Sequence, residues 1–200
     1  MVRPFAIMTD HVVSSERLDL VPMTADFMAA IVALDAPRAS EIGGFSVPAE
    51  WPREVVPQGW LQVWVARLRA DPGLLPWLSR AMVLRSNRTM VGNIGFHGYP
   101  GEGDLRSFSP GAGQFGYGVL EPYRRQGFAT EAAQALMRWA HDEHGIGRFV
   151  ISIAQDNVPS QGVARRLGFV PIGSHVHSVR GSEDIWELRM EETGAPPAAG

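Results

Sequence analysis

Hydrophobic and polar positions follow two different periods along the chain, as expected of a protein that mixes strands and helices. Alternation with a period of two predicts a strand, whereas apolar residues three to four positions apart predict a helix. Strands are predicted over residues 17–21, 81–85, 90–96, 114–120, 149–154, 172–180 and 184–190. Helices are predicted over residues 25–34, 60–70, 130–144 and 159–167. The order of these elements predicts a fold of mixed α and β type.

Turn and cap residues delimit the predicted elements. Thr24 is suited to cap the helix that follows it, and Gly145 and Gly168 are suited to end two others. Residues 35–57 are rich in Pro and Gly and carry no clear period, and residues 99–113 form a glycine-rich loop. Since no repeat or linker divides the chain, we expect a single domain over residues 1–193 and a flexible tail over 194–200.

Composition narrows the class of protein. Hydrophobic residues make up 45% of the 200 positions and charged residues 20%, which is typical of a soluble globular protein. No apolar run reaches the roughly 18 residues of a membrane span, and the apolar N-terminal stretch is too short for a signal peptide. We therefore expect a cytoplasmic protein. The net charge of -3 argues against nucleic-acid binding.

Two residue types are missing from the sequence, and their absence excludes several chemistries. Without cysteine, the chain forms neither an acyl-cysteine intermediate nor a thiolate zinc site. Without lysine, it has neither a P-loop nor a Schiff base. All 18 basic residues are arginine, whose planar guanidinium clamps phosphate well. An anion site therefore stays possible.

Residues 117–132 combine the end of a predicted strand, a basic loop and the start of a helix. Pro122 ends the strand, and Gly127 lets the backbone approach a ligand closely. Helix-start N–H groups attract anions, and Arg124 and Arg125 add positive charge. An ordinary strand, turn and helix with a solvated arginine pair fits the same pattern, so the residues alone leave both interpretations open.

Together with four other motifs, this loop resembles the GNAT superfamily of acetyl-CoA-dependent N-acetyltransferases. The loop Arg124-Arg125-Gln126-Gly127-Phe128-Ala129 is similar to that superfamily's pyrophosphate loop. The other similar motifs are Arg17-Leu18-Asp19-Leu20-Val21-Pro22, Val91-Gly92-Asn93-Ile94-Gly95-Phe96, the pair Asn157 and Ser160, and Leu167-Gly168-Phe169. The resemblance covers about residues 17–190. Its Arg-Leu-x-Leu start and Ser160 are most similar to the RimJ/RimL-like branch, which acetylates ribosomal-protein N-termini.

The resemblance implies a fold and a donor site. The fold would be a mostly antiparallel, twisted sheet of about seven strands flanked by helices, and its fourth and fifth strands, residues 114–120 and 149–154, would splay apart. Acetyl-CoA would lie in that cleft, and no metal would be required. The backbone of Val119 would bind the pantetheine arm. The other implied cofactor-binding residues are Arg124, Arg125, Gln126, Gly127, Phe128, Ala129, Thr130, Asn157 and Ser160.

The resemblance also implies direct attack of an amine on the thioester, by an enzyme of the N-acetyltransferase class. Many members protonate the leaving thiolate with a tyrosine, but Ala164 stands at that position here. Ser160, one turn earlier on the same predicted helix, is the best substitute, although a serine at a helix start also serves as a cap. Asn157 would anchor the cofactor or the backbone, or would be a plain turn residue.

The general base is open at the level of sequence. The RimJ/RimL-like branch often has a glutamate where this chain has Gln114, and an amide cannot take a proton. His97 has a suitable pKa range and Glu121 adjoins the loop, but both also fit structural or solvent-exposed positions. Glu131 suits the helix dipole and is interpreted as structural. His175 and His177 either line the acceptor side or face solvent, and the latter is favoured.

The acceptor is expected to be a protein N-terminus or a small-molecule amine. It would be held by residues 35–77 and by the loop 99–113. The expected partners are thus acetyl-CoA and an amine, without nucleic acid or membrane, and the protein would be a monomer or homodimer. The missing tyrosine and glutamate leave an alternative function, a catalytically silent module that binds acyl-CoA on the same fold.

Overall fold

The computed structural model describes residues 11–49, 51, 59–177 and 181–190, and these residues form two compact units. The first unit contains the described residues up to Tyr99 together with Phe115–Leu136. The second contains Pro100–Gln114 and the described residues from Met137 onward. The predicted tail at 194–200 and positions 178–180 of the last predicted hairpin lie outside the described residues.

Antiparallel strands and four helical segments build the first unit. The strands pair in chain order, and each neighbouring pair is antiparallel. They are β1 (Val13–Ser14), β2 (Leu18–Pro22), β3 (Ser79–Leu84), β4 (Met90–Phe96) and the Phe115–Val119 part of β5 (Gly113–Val119). The helices are α1 (Ala25–Val32), α2 (Ala36–Gly43), α3 (Trp60–Ala70) and the first half of α4 (Phe128–His144). Short 3-10 turns occupy Pro72–Trp77 and Glu121–Tyr123.

The second unit contains the start of β5, the end of α4 and four further elements. These are β6 (Arg148–Ala154), α5 (Val158–Leu167), β7 (Val170–His177) and β8 (Gly181–Arg189). Its strands are hydrogen-bonded in the order β5-β6-β8-β7. The β5–β6 ladder is parallel and comprises two residue pairs, Gly113 with Phe149 and Gln114 with Val150. The other two ladders are antiparallel.

The mixed, mostly antiparallel fold is confirmed, with eight described strands instead of about seven. The additional strand, β1, has two residues, too few to show a period in the sequence. Helix α2 lies in the stretch that carried no clear period. It buries only Ala39, and a helix with so narrow an apolar stripe leaves little periodic signal.

Two glycines of β4 are required by close packing between strands. A Cβ at Gly92 would lie 2.2 Å from the carbonyl oxygen of Gly118, and one at Gly95 would lie 2.3 Å from that of Leu78. Neither backbone can move without disturbing the sheet, so both positions exclude larger residues.

Within the described ranges, no helix is long and apolar enough to cross a membrane.

Candidate functional site

The basic loop leads from the end of β5 to the start of α4 through two residues in the left-handed region. Gly127 has a φ of 85° and Arg125 a φ of 61°. Glycine adopts such a φ at little cost, whereas an arginine there costs about 1–2 kcal/mol. The surrounding structure therefore holds the loop in a specific conformation.

Backbone N–H groups at the start of α4 are available to a ligand. Glu131 makes the first helical bond, from its N–H to the carbonyl of Gly127 at 3.0 Å. In the described part of the chain, the N–H groups of Phe128, Ala129 and Thr130 meet no protein acceptor. They carry the partial positive charge of the helix dipole, so this end of α4 is suited to an anion.

Arg124 adds a guanidinium whose outer nitrogens are available. Its Nε donates to the carbonyl oxygen of Val119 at 2.9 Å, and the side chain is exposed. Among the described residues, its two terminal nitrogens have no partner. Arg125 and Gln126 are also exposed, and Gln126 Nε2 donates to the carbonyl of Pro122 at 3.1 Å. Amides plus a guanidinium form a donor set that fits the oxygens of a pyrophosphate.

Val119 lies at a position of β5 where its polar backbone groups point away from β4. Gly92 is its partner in the ladder, and the neighbouring bond runs from the N–H of Leu120 to the carbonyl of Val91 at 3.0 Å. Val119 is therefore at a non-hydrogen-bonded position of this antiparallel pair. An extended ligand could reach its N–H without displacing a bond to β4.

Three residues that the sequence did not single out as a site hold this loop. The carboxylate of Glu131 accepts from Ser15 Oγ and from the N–H of Arg17, both at 2.7 Å, on one oxygen. Its other oxygen accepts from Arg17 Nε, also at 2.7 Å. A terminal guanidinium nitrogen of Arg17, Nη1, donates to the carbonyl of Gln126 at 3.1 Å. We call Ser15, Arg17 and Glu131 the loop brace.

Acidification is expected to destabilise the wild-type protein more than Glu131→Gln. Burial alone would raise the pKa of Glu131, but hydrogen bonds from Arg17 and Ser15 and the charge of Arg17 outweigh it and lower the pKa. The stabilisation is therefore complete above the pKa that Glu131 has in the unfolded chain. It is lost as the pH falls through the lowered pKa of the folded state, because the unfolded chain then binds the proton more readily.

Urea midpoints between about pH 7 and about pH 3 measure this difference, because the loss begins near the ordinary pKa of a glutamate and continues below it. The control is Glu41→Gln, which removes an exposed carboxylate paired with Arg38 at 2.6 Å; exposed pairs contribute little. Equal acid sensitivity in the wild-type protein and Glu131→Gln would contradict the prediction.

At the start of α5, Asn157 caps the helix and Ser160 keeps a hydroxyl without a partner. Asn157 Oδ1 accepts the backbone N–H of Ser160 at 3.2 Å. The cap is thus Asn157 and not Ser160. No group in the described ranges hydrogen-bonds to Ser160 Oγ, which is partly exposed. Ala164, at the position where the resemblance implies a tyrosine in many members, is fully buried.

The two candidate bases lie in different surroundings. His97 follows β4; its ring centroid is 5.7 Å from that of Trp60, and its carbonyl accepts from Arg67 Nη1 at 2.6 Å. Its Nε2 lies 3.2 Å from where a Cβ of Gly116 would be, so the ring lies against the backbone of β5. Glu121 lies exposed at the start of the 3-10 turn.

Gln114 holds the glycine-rich loop. It is 4% exposed, its Oε1 accepts the N–H of Leu105 at 3.2 Å, and its Nε2 donates to Asp104 Oδ1 at 2.5 Å. Ser109 Oγ donates to the buried Glu187 at 2.6 Å and ties the same loop to β8. The amide at position 114 therefore has a structural use here.

The expectation that His175 faces solvent is wrong. Its side chain is 19% exposed, and its Nε2 lies 3.2 Å from Glu183 Oε2. Phe108 of the glycine-rich loop packs against it, with ring centroids 6.0 Å apart. His177 is half-buried beside it, with ring centroids 6.3 Å apart.

Over the described ranges, no cluster of three or more His, Cys, Asp or Glu side chains could hold a metal ion.

Residues 17–170 match the family of the acetyltransferase (GNAT) domain. That match spans more than half of the chain, so the protein belongs to this family. It is also 28% identical over 131 residues to an uncharacterised N-acetyltransferase, YjdG, of Bacillus subtilis (strain 168). This alignment covers 64% of the chain and 71% of YjdG.

Solved structures of GNAT acetyltransferases have the same fold. One from Bacillus anthracis superimposes with a TM-score of 0.60 at 20% identity, over 90% of this chain and 99% of the other. RimL, a ribosomal L7/L12 alpha-N-protein acetyltransferase solved in complex with coenzyme A, gives a TM-score of 0.59 at 21% identity, over 90% and 98%. At these identities the likeness establishes the fold.

Proposed function

We propose that this protein transfers an acetyl group from acetyl-CoA directly to a primary amine. The observation that carries the proposal is the donor set at the start of α4: the backbone N–H groups of Phe128–Thr130 and the outer nitrogens of Arg124. Membership of the GNAT family supports acyl transfer as the reaction. RimL, a protein of the same fold, has been solved with coenzyme A.

In this proposal the basic loop holds the pyrophosphate of the donor. Arg124 and Arg125 supply charge, and the N–H groups of residues 126–130 supply directed hydrogen bonds. The N–H of Val119, which points away from β4, would bind the pantetheine arm as an added strand does. Asn157 Oδ1 is engaged in its cap, so we assign Asn157 to shaping the start of α5 and leave only its amide nitrogen for the donor.

Acetyl transfer requires two proton movements. The amine nitrogen forms a bond to the acetyl carbon and loses a proton, while the carbon–sulfur bond breaks and the thiolate gains one. We assign the second proton to Ser160, whose hydroxyl has no partner among the described residues. We assign the first to His97 ahead of Glu121, because imidazole is the side chain whose ordinary pKa lies nearest to neutral pH.

The acceptor we propose is a protein N-terminus or a small-molecule amine, and the functional branch we propose is RimJ/RimL-like. The motifs Arg17-Leu18-Asp19-Leu20 and Ser160, and the RimL and ribosomal-protein acetyltransferase structures among the neighbours, support this branch. We propose action in the cytoplasm as a monomer or homodimer.

Release of free thiol from acetyl-CoA tests the proposal. The wild-type protein is mixed with acetyl-CoA and a panel of amines that includes peptides with a free N-terminus and small primary amines. Release that depends on one of these amines is the expected result. Tight binding of acetyl-CoA with no turnover on any amine would instead favour a silent module that binds acyl-CoA.

A further inference from the structure

Arg17 lies at the centre of the loop brace, and all its guanidinium nitrogens are engaged there. Nε and Nη2 each lie 2.7 Å from Glu131 Oε2, and Nη1 donates to the carbonyl of Gln126. The guanidinium carbon also lies 4.5 Å above the centroid of the Phe128 ring. Arg17 thus contacts the loop just before and just after Gly127, and each of its three guanidinium nitrogens lies within hydrogen-bond distance of a protein oxygen.

The bond to Gln126 determines the direction of a neighbouring N–H. A trans peptide is planar, so the carbonyl of Gln126 and the N–H of Gly127 point in opposite directions. Holding that carbonyl on Arg17 therefore directs the N–H of Gly127 away from Arg17. Without the bond, Gly127 would rotate more freely, because glycine restricts its backbone least.

The pairing of Arg17 with Glu131 neutralises a carboxylate that would repel an anion bound at the loop. Glu131 stands in the first turn of α4, where its carboxylate suits an empty helix end but would repel a bound anion. Its side chain is only 16% exposed, so solvent screens it incompletely. The charge of Arg17 and the hydroxyl of Ser15 neutralise and satisfy this carboxylate.

We propose that Arg17 is a positioning residue for the pyrophosphate loop, acting through Gln126 and Glu131. This inference rests on the proposed function. It predicts that Arg17 affects binding of the acetyl donor and neither the rate of the chemical step nor binding of the amine.

The test measures the Kd for CoA by calorimetry, together with kcat and the two KM values. Arg17→Ala is expected to raise the Kd and the KM for acetyl-CoA by about 10–100-fold, the effect of losing a few hydrogen bonds to charged groups. The kcat and the KM for the amine should stay within about twofold of wild type. The Kd of Arg17→Lys for CoA should lie between those of the wild-type protein and Arg17→Ala. The lysine ammonium can pair with Glu131, but it cannot reproduce the several directed bonds of the guanidinium.

The matched control is Arg38→Ala. Arg38 is similarly exposed and also pairs with a carboxylate, that of Glu41 at 2.6 Å, but it contacts neither the loop nor the loop brace among the described residues. A Kd for CoA that is the same in Arg17→Ala and Arg38→Ala would overturn the inference while the proposed function stands. The inference would also be overturned if kcat in Arg17→Lys fell by the same factor as the affinity for CoA while the Tm stayed unchanged. Absence of CoA binding by the wild-type protein would overturn both.

Discussion

Arg124→Ala combined with Gly127→Glu is expected to abolish binding of CoA while the fold stays intact. The first change removes the guanidinium whose outer nitrogens are available at the loop. The second places a carboxylate among the N–H groups that attract an anion, at a position with a φ of 85° that disfavours any side chain. Together we expect a loss of affinity of at least about 100-fold, measured by calorimetry.

Gly145→Glu is the control for this prediction. Gly145 has a φ of 69° and open space around its Cβ position, and it ends the same helix that Gly127 precedes. The control thus imposes a similar backbone strain and the same charge at the opposite end of α4. Far-ultraviolet circular dichroism checks the fold of both variants. CoA affinity that is unchanged in the double variant would contradict the assignment of the loop.

Ser160→Ala is expected to lower kcat by about 100-fold, in the range attributed to general acid catalysis, with little change in the KM for acetyl-CoA. The physical reason is that the leaving thiolate would lose its proton donor. The helix should be unaffected, because the Asn157 cap bonds the backbone N–H of Ser160 and alanine keeps that group. Steady-state thiol release over a range of acetyl-CoA concentrations measures both constants.

Asn157→Ala distinguishes the stabilising role of the helix cap from the proposed catalytic role of Ser160. Loss of the cap should lower the free energy of unfolding by about 1 kcal/mol, which thermal unfolding detects, while kcat falls far less than in Ser160→Ala. A turnover rate in Ser160→Ala that equals that of wild type would remove Ser160 from the mechanism.

Elements with a strong period were predicted well from the sequence. Helix α3 occupies the predicted residues, Trp60–Ala70, because Leu61, Val65 and Leu68 recur at helical spacing and are buried. The hairpin of β3 and β4 also follows its predicted bounds closely. In these segments the intrinsic preference of the residues and the spacing of the buried residues favour the same element. The local sequence pattern is therefore sufficient to predict that element.

Weakly patterned segments were missed for a physical reason. Helix α2 begins at the Asp35 cap, whose Oδ1 accepts the N–H of Arg38 at 3.0 Å, yet it buries a single residue. Gln114 was recognised as a departure from a glutamate, but its bonds to Asp104 and Leu105 depend on how the glycine-rich loop folds back. Contacts of that kind leave no periodic pattern of hydrophobic and polar residues in the sequence, so the pattern cannot predict them.

The sequence by itself determined the family and the position of the basic loop, because these depend on residue types at short, fixed spacings. Only the tertiary structure decided how the loop is held. Arg17 and Glu131 stand 114 positions apart, and nothing in the local pattern of either predicts their contact. A brace of this kind arises when a strand end and a helix start are packed side by side, which only the folded chain establishes.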